Sequence, residues 1–386
     1  MRDISVLTLI GFAFSGLGAI GTLYMLAAAG TAGRYRARTL GRGEAPAVTL
    51  LKPLHGDEPA LAANLAGFLQ QDYGGAVQMI CGVQRADDPA IATVHALQAA
   101  FPDADIRLVV DSARHGGNDK ISNLINMLPH ARYPLLVLSD SDMAAGPAYL
   151  ATITAALARP GTGAVTCLYH GRPLTNRWSH FAAAWISYQF LPSVMLGVRL
   201  GRAQPCMGST IALRRTTLDR IGGFERFADL LADDHAIGAA VHELGLRVDI
   251  PPLILAHGCA ESNLSAVLRH ELRWAATIRV LDRAGYAGSI VTYPVPFALL
   301  GVACTGASPV AIALLVIALA ARMILAGRID RLTGMRSLAR WLLPVRDSLS
   351  LVVFVVGFFV RSVDWRGAAL RMEKHGRIAA RSESLS

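Results

Sequence analysis

Leu135-Leu136-Val137-Leu138-Ser139-Asp140-Ser141-Asp142 is the stretch on which the fold turns. Four consecutive aliphatic residues read as a strand buried on both faces, and the Asp-Ser-Asp behind them marks where the chain leaves the sheet. Three similar runs precede it, at residues 48–51, 79–83 and 106–110, with helix-like stretches at 58–71, 88–101 and 119–129 between them. That alternation predicts βαβ units on a parallel sheet, an α/β fold of Rossmann-like type. Ligands of such sheets sit beyond the carboxyl ends of the strands. Lys52, Asp87, Asp88, Asp111 and Asp140 are therefore the positions to watch.

Hard divalent cations take carboxylate oxygens and leave sites for phosphate, so Asp140 and Asp142 are candidate metal ligands. An Asp-rich turn is the plainer alternative. Leu231-Ala232-Asp233-Asp234-His235 is a second acidic cluster, either a general base or an ordinary helix start. Asp87-Asp88-Pro89 has the same two readings. In His270-Glu271-Leu272-Arg273-Trp274 the residues His270, Arg273 and Trp274 share a helix face. Arg clamps diphosphates and Trp stacks on sugars, although an interfacial amphipathic helix has the same composition. Gly116-Gly117-Asn118 has no phosphate-loop spacing, and His257, in Ala-His-Gly, reads as a core histidine rather than a further metal ligand.

The rest of the composition points to a membrane. The 386 residues are 53% hydrophobic and only 17% charged, with a mean hydropathy of +0.40. Soluble domains carry about 25% charged residues, and disorder, coiled coil and collagen are excluded by the same composition. The net charge of +9 then suits an anionic bilayer surface rather than nucleic acid. Five scattered cysteines without metal spacing indicate reduced thiols. Residues 4–33 carry no charge, which makes 1–33 an N-terminal anchor. Ala27-Ala28-Ala29-Gly30 would suit a signal peptidase, but Arg34, Arg36, Arg38 and Arg42 follow at once and mark a cytoplasmic flank. Between the anchors, 45–283 is a block of single-domain size. A second charge-free run, 284–321, breaks at Thr305-Gly306-Ala307-Ser308-Pro309 into a hairpin of spans. Arg322, Arg328, Arg331, Arg336, Arg340 and Arg346 follow it. Residues 348–360 are short for a span, so within a C-terminal region of 284–361 that segment either crosses or re-enters; a basic tail, 362–386, ends the chain. Phe181 to Leu200 is apolar, either a buried helix or a lip dipping into the bilayer.

Taken in order, these motifs resemble those of membrane-anchored family 2-like and family 21 glycosyltransferases, the ceramide glucosyltransferase group. Asp-Asp-Pro-Ala (87–90), Asp-Ser-Asp (140–142), Ala-Asp-Asp-His (232–235) and His-Glu-Leu-Arg-Trp (270–274) follow the group's Asp, DxD, Asp and (Q/R)xxRW. Leu-Lys-Pro-Leu (51–54), Gln-Asp-Tyr (71–73), Asn-Asp-Lys-Ile-Ser-Asn-Leu (118–124), Gly-Gly-Phe (222–224) and Asp-Trp-Arg-Gly (364–367) also match. His270 departs from the pattern, standing where Gln or Arg is usual. Within the group the chain looks most like the bacterial hopanoid-biosynthesis glycosyltransferases, which are thought to glycosylate bacteriohopanetetrol from UDP-N-acetylglucosamine.

The resemblance implies a cytoplasmic GT-A domain on the inner membrane. It also implies inverting transfer of N-acetylglucosamine or glucose from a UDP-sugar to a lipid hydroxyl, of a hopanoid or a ceramide, with Mg2+ or Mn2+. Asp234 would be the base and Asp140 and Asp142 the metal ligands. Asp88, Lys120 and Asn123 would hold uridine and ribose, Arg273 and Trp274 the donor diphosphate, and His270 and Trp274 the acceptor side. A ceramide glucosyltransferase, a processive polysaccharide synthase and an inactive membrane scaffold are the competing readings.

Overall fold

The computed structural model describes residues 5–36, 45–360, 362–365 and 368–371. Helix α1 (Val6–Arg34) comes first, and the chain then divides between two units that interleave in sequence. Arg36–His170 and Gln204–Ala260 form an α/β unit. Its elements are β1 (Val48–Pro53), α2 (Leu61–Leu69), β2 (Val77–Val83), α3 (Ala90–Ala100), β3 (Asp105–Val110), α4 (Asp119–Met127), β4 (Leu135–Leu138), β5 (Met143–Ala144), α5 (Tyr149–Leu157), β6 (Thr162–Val165) and the start of β7 (Leu168–Pro173). After an excursion into the other unit come β8 (Ile211–Arg214), α8 (Arg215–Arg220), α9 (Asp233–Glu243), β9 (Arg247–Asp249) and β10 (Ile254–Cys259).

Seven strands form the main sheet in the order β3-β2-β1-β4-β8-β6-β9. β3, β2, β1 and β4 run parallel, as the alternation predicts. β8 is antiparallel to both its neighbours, which ends the simple βαβ winding. β1 and β4 are buried along their whole length, as uninterrupted aliphatic runs require. They pair in register from Val48 with Leu135 to Leu51 with Leu138. Lys52 and Ser139 thus emerge side by side at the carboxyl edge. A smaller sheet, β5-β10-β7, lies past that edge.

The second unit takes in α1, Gly171–Ala203 and everything from Glu261 to Ala369. It is helical: α6 (Arg177–Trp185), a π-helical turn (Ile186–Phe190), α7 (Leu191–Arg199), α10 (Leu264–Leu281), α11 (Arg283–Gly288), α12 (Pro294–Cys304), α13 (Pro309–Thr333) and α14 (Leu343–Gly357). The block 45–283 contributes segments to both units. Within the apolar run 177–199, α7 packs on α1, while Ala183 of α6 lies against Gly171 of β7.

Among the described residues three helices are long and apolar enough to cross a membrane: Val6–Arg34, Arg177–Arg199 and Pro309–Thr333. The pair Arg283–Thr292 and Pro294–Cys304, bent by 64°, makes a fourth if it counts as one span. The break at 305–309 falls where the turn-forming residues predict, with Gly306 and Ala307 at positive φ. α1 docks on α12 and α13 through Gly11, Ser15, Gly18, Thr22, Met25, Ala29 and Ala32, all buried. Spacings of four and three keep this seam on one face, and small residues let backbones approach closely. Helix α14 has only 15 residues, and its Arg346 and Asp347 are buried in protein. Of the expected basic segments, Arg38, Arg42, Arg366, Lys374 and Arg377 lie outside the described residues, as do Arg366 and Gly367 of the 364–367 motif.

Candidate active site

At the carboxyl edge of β4 the α/β unit gathers an acidic cluster around one lysine. Asn118 caps α4, accepting from the Ile121 N–H at 3.1 Å, while its own amide donates to the Leu230 carbonyl at 2.7 Å and to Asp233 Oδ1 at 3.3 Å. The cap thereby fixes the start of α4 beside the start of α9. Two residues on, Lys120 Nζ stands 2.7 Å from Asp140 Oδ1 and 3.5 Å from Asp233 Oδ2. Burial disfavours its charge, but the carboxylates of Asp140, Asp233 and Asp234 outweigh that and hold its pKa above the usual lysine range. Burial likewise pushes Asp140 and Asp233 up, against the pull of Lys120.

Asp234, the second residue of α9, has its carboxylate held by two backbone donors. The Gly208 N–H reaches Oδ2 at 3.0 Å and the His235 N–H reaches Oδ1 at 2.7 Å. Gly208 lies against the same cluster: a methyl there would stand 2.9 Å from Asp140 Oδ2 and 3.1 Å from Lys120 Nζ. One glycine thus brings the third acidic motif to the Asp-Ser-Asp turn, across 92 residues of sequence (142 to 234). A composition scan does not register it.

His257 stands as a histidine satisfied within the fold. Its place on β10, opposite Met143 of β5, turns Nε2 to 3.1 Å from Asp142 Oδ2. Burial works against its charge, and Asp142 overrides this to lift its pKa well above the ordinary histidine value. The Gly258 N–H also donates to the Asp142 carbonyl at 2.8 Å. Lys52, at the end of β1, is fully buried. Its Nζ donates to Ser139 Oγ at 3.0 Å and to the Asp140 carbonyl at 3.2 Å, and lies 3.2 Å from the centre of the Phe68 ring. Burial lowers its pKa to about 7, Asp140 pulling the other way.

Asp88 and Asn123 are in the same unit, and each makes hydrogen bonds to the backbone. Asp88 accepts from the Gly56 N–H at 2.9 Å and from the Ala90 N–H at 2.9 Å, tying the β1–α2 loop to the start of α3. Asn123 donates to the Gly82 carbonyl at 2.8 Å, and its Oδ1 is buried without a hydrogen-bond partner. In the helical unit His270, Arg273 and Trp274 share one face of α10. Trp274 meets Trp185, Phe190 and His270 edge to face, with centroids 5.1, 5.8 and 5.1 Å away. His270 Nδ1 bonds Glu261 Oε1 at 2.6 Å.

A divalent ion fits this donor chemistry. Among the described residues no three His, Cys, Asp or Glu side chains converge on one point. Two carboxylates suffice, however, for an ion that completes its shell with water and substrate phosphates.

The family model of "Glycosyl transferase family 21" matches residues 14–378. The chain belongs to glycosyl transferase family 21. Ceramide glucosyltransferase 1 of Caenorhabditis elegans is 25% identical over 206 residues, 53% of this chain and 44% of that one. Ceramide glucosyltransferase 3 of the same organism is 26% identical over 239 residues, 59% and 50% of the two chains. This family 21 chain thus spans about half the length of the curated relatives it matches. Among solved structures it is similar to a mannosyltransferase from Pyrobaculum calidifontis in complex with GDP-Man and Mn2+, with a TM-score of 0.54 and 20% identity over 91% of this chain and 98% of that one. At that identity the likeness speaks for the GT-A fold alone.

Proposed function

We propose that this family 21 protein transfers a sugar from a UDP-sugar to the hydroxyl of a membrane lipid, with inversion at the anomeric carbon. The observation that carries the reading is the meeting of Asp140, Lys120, Gly208 and Asp234 at one edge of the sheet. Asp234 takes the proton of the lipid hydroxyl as its oxygen attacks the anomeric carbon and the bond to the diphosphate breaks. Its two backbone donors hold the carboxylate in a single orientation. Asp140 and Asp142 would hold the divalent cation, with His257 placed to orient or join Asp142. When bound, that ion neutralises charge on the departing diphosphate. Lys120 supplies a fixed positive charge in the same cluster, and Asp88 shapes the loop at the mouth of β1 and β2 for the uridine. Arg273 and Trp274 serve the diphosphate and acceptor, with His270 on the acceptor side.

The three apolar helices of spanning length among the described residues suit a lipid acceptor. The arginine-rich flanks favour a cytoplasmic side for their ends, where nucleotide sugars are made, which supports an inner-membrane location. The acceptor implied by sequence resemblance is a hopanoid such as bacteriohopanetetrol, the sugar N-acetylglucosamine or glucose. A ceramide acceptor is the second reading, favoured by the two nematode relatives. Purified protein is to be incubated with UDP-N-acetylglucosamine or UDP-glucose and either lipid. UDP release that depends on one lipid, with the glycolipid found by mass spectrometry, supports the reading. Release that no lipid stimulates refutes it.

A further inference from the structure

Helix α10 has two functional faces. Val267, Glu271 and Ala275 recur every four residues and are buried. His270, Arg273, Trp274 and Thr277 lie on the adjoining face, His270 about 100° of helical rotation from Glu271. A carboxylate on a buried face demands a partner, and it comes from α14. Arg346, only 1% exposed, brings Nη2 to 2.5 Å from Glu271 Oε1. Its Nη1 donates to Ser350 Oγ at 2.9 Å and its Nε to the Phe181 carbonyl of α6 at 2.8 Å. One planar guanidinium therefore spans α6 and α10.

Those are the two helices whose tryptophans meet. Trp185 lies four residues beyond Phe181, and Trp274 three beyond Glu271. Their rings pack edge to face at 5.1 Å, with Phe190 beside both. The neighbouring Asp347 pairs with Arg322 of α13, whose Nη1 donates to the Tyr188 carbonyl at 2.7 Å inside the π-helical turn. The first turn of α14 thus pins each segment that lends a ring to the Trp274 cluster.

We propose that Arg346 is a positioning residue for sugar transfer, setting the aim of His270, Arg273 and Trp274 through Glu271 and the Phe181 carbonyl. The inference rests on the transferase reading above. Lysine, a point charge on a flexible stem, cannot reproduce a three-way fork. A pair with only a structural role is distinguishable, because buried ion pairs replaced together by apolar residues often leave stability unchanged or raised.

The test compares the full chain, in nanodiscs, with Arg346→Lys and with the double variant Glu271→Met/Arg346→Met. Thermal midpoint, near-ultraviolet circular dichroism from the Trp185–Trp274 couple, and KM and kcat with the responsive lipid are measured. Positioning predicts an unchanged midpoint in the double variant, a diminished tryptophan band, and kcat/KM for the acceptor lowered by about 10²-fold, the usual cost of slight misplacement. Wild-type kinetics in that variant overturns the proposal. Should it not fold, Arg346→Lys decides: the same losses are expected, and wild-type kinetics overturns. If the wild type transfers nothing, the transferase reading has failed by itself. The tryptophan band still decides on Arg346, because a band unchanged in both variants overturns the inference.

Discussion

Two neighbouring aspartates at the start of α9 have different environments, and their substitutions should differ accordingly. Asp234 has its oxygens on the N–H groups of Gly208 and His235, while Asp233 is buried against Lys120 and Asn118. Loss of a general base costs about 10²–10⁴-fold, so Asp234→Asn should lower turnover by that factor and spare UDP-sugar affinity. Asp233→Asn should instead destabilise the fold by about 1–3 kcal/mol, the worth of a charged buried hydrogen bond. Urea melts and transfer rates on both variants check the pair. Were Asp233→Asn inactive and Asp234→Asn near wild type, the base would be one residue earlier. For the metal, Asp142→Asn should abolish transfer in a protein that still folds, because an amide cannot offset the ion's charge. Full activity of that variant in excess EDTA would remove the metal from the mechanism.

Helix α1 shows how one element is held. Its buried seam meets α12 so closely that a methyl on Gly18 would stand 3.1–3.3 Å from the backbone and side chain of Ala298. Gly16, two residues away, has nothing within 4 Å of the corresponding position. Overpacking costs about 1–3 kcal/mol, so Gly18→Leu should lower the thermal midpoint in detergent while Gly16→Leu leaves it in place. Equal midpoints for the two would mean that α1 does not depend on this seam. α14 is the opposite case: short, and anchored by buried charge instead of small residues. Its composition left open whether it crosses or re-enters, because hydropathy cannot report that Arg346 and Asp347 find Glu271 and Arg322.

At the scale of the whole molecule, arginine placement predicts an orientation to be tested. The segments after α1 and α13 should face the cytoplasm and the turn between α12 and α13 the outside. In a Cys304→Ser background, impermeant maleimide applied to intact cells should label Ala307→Cys and miss Arg36→Cys; the four other cysteines are buried. Strong external labelling at position 36 would reverse the topology. The division into two units also belongs to this scale. Residues 191–199 join the helical unit because their apolar surface is covered by α1, a partner more than 150 residues away.

What the sequence determined by itself was whatever local pattern encodes. The aliphatic runs announced β1 to β4, the Asp-Ser-Asp turn announced the edge of the sheet, and the charge-free stretches with their arginine flanks announced the spans. These signals are carried by neighbours in the chain, so burial and turn chemistry can be read from one window. The tertiary structure alone decided which side chain meets which. His257 faces Asp142 because β10 pairs with β5 in one register. Lys52 is buried beneath Ser139 because β1 and β4 end together. Gly208 matters because its missing side chain leaves room beside Asp140, and Asp88 and Asn123 turn out to be taken up largely by backbone. Each of these pairings depends on the packing of distant segments, and no periodicity in the chain records it.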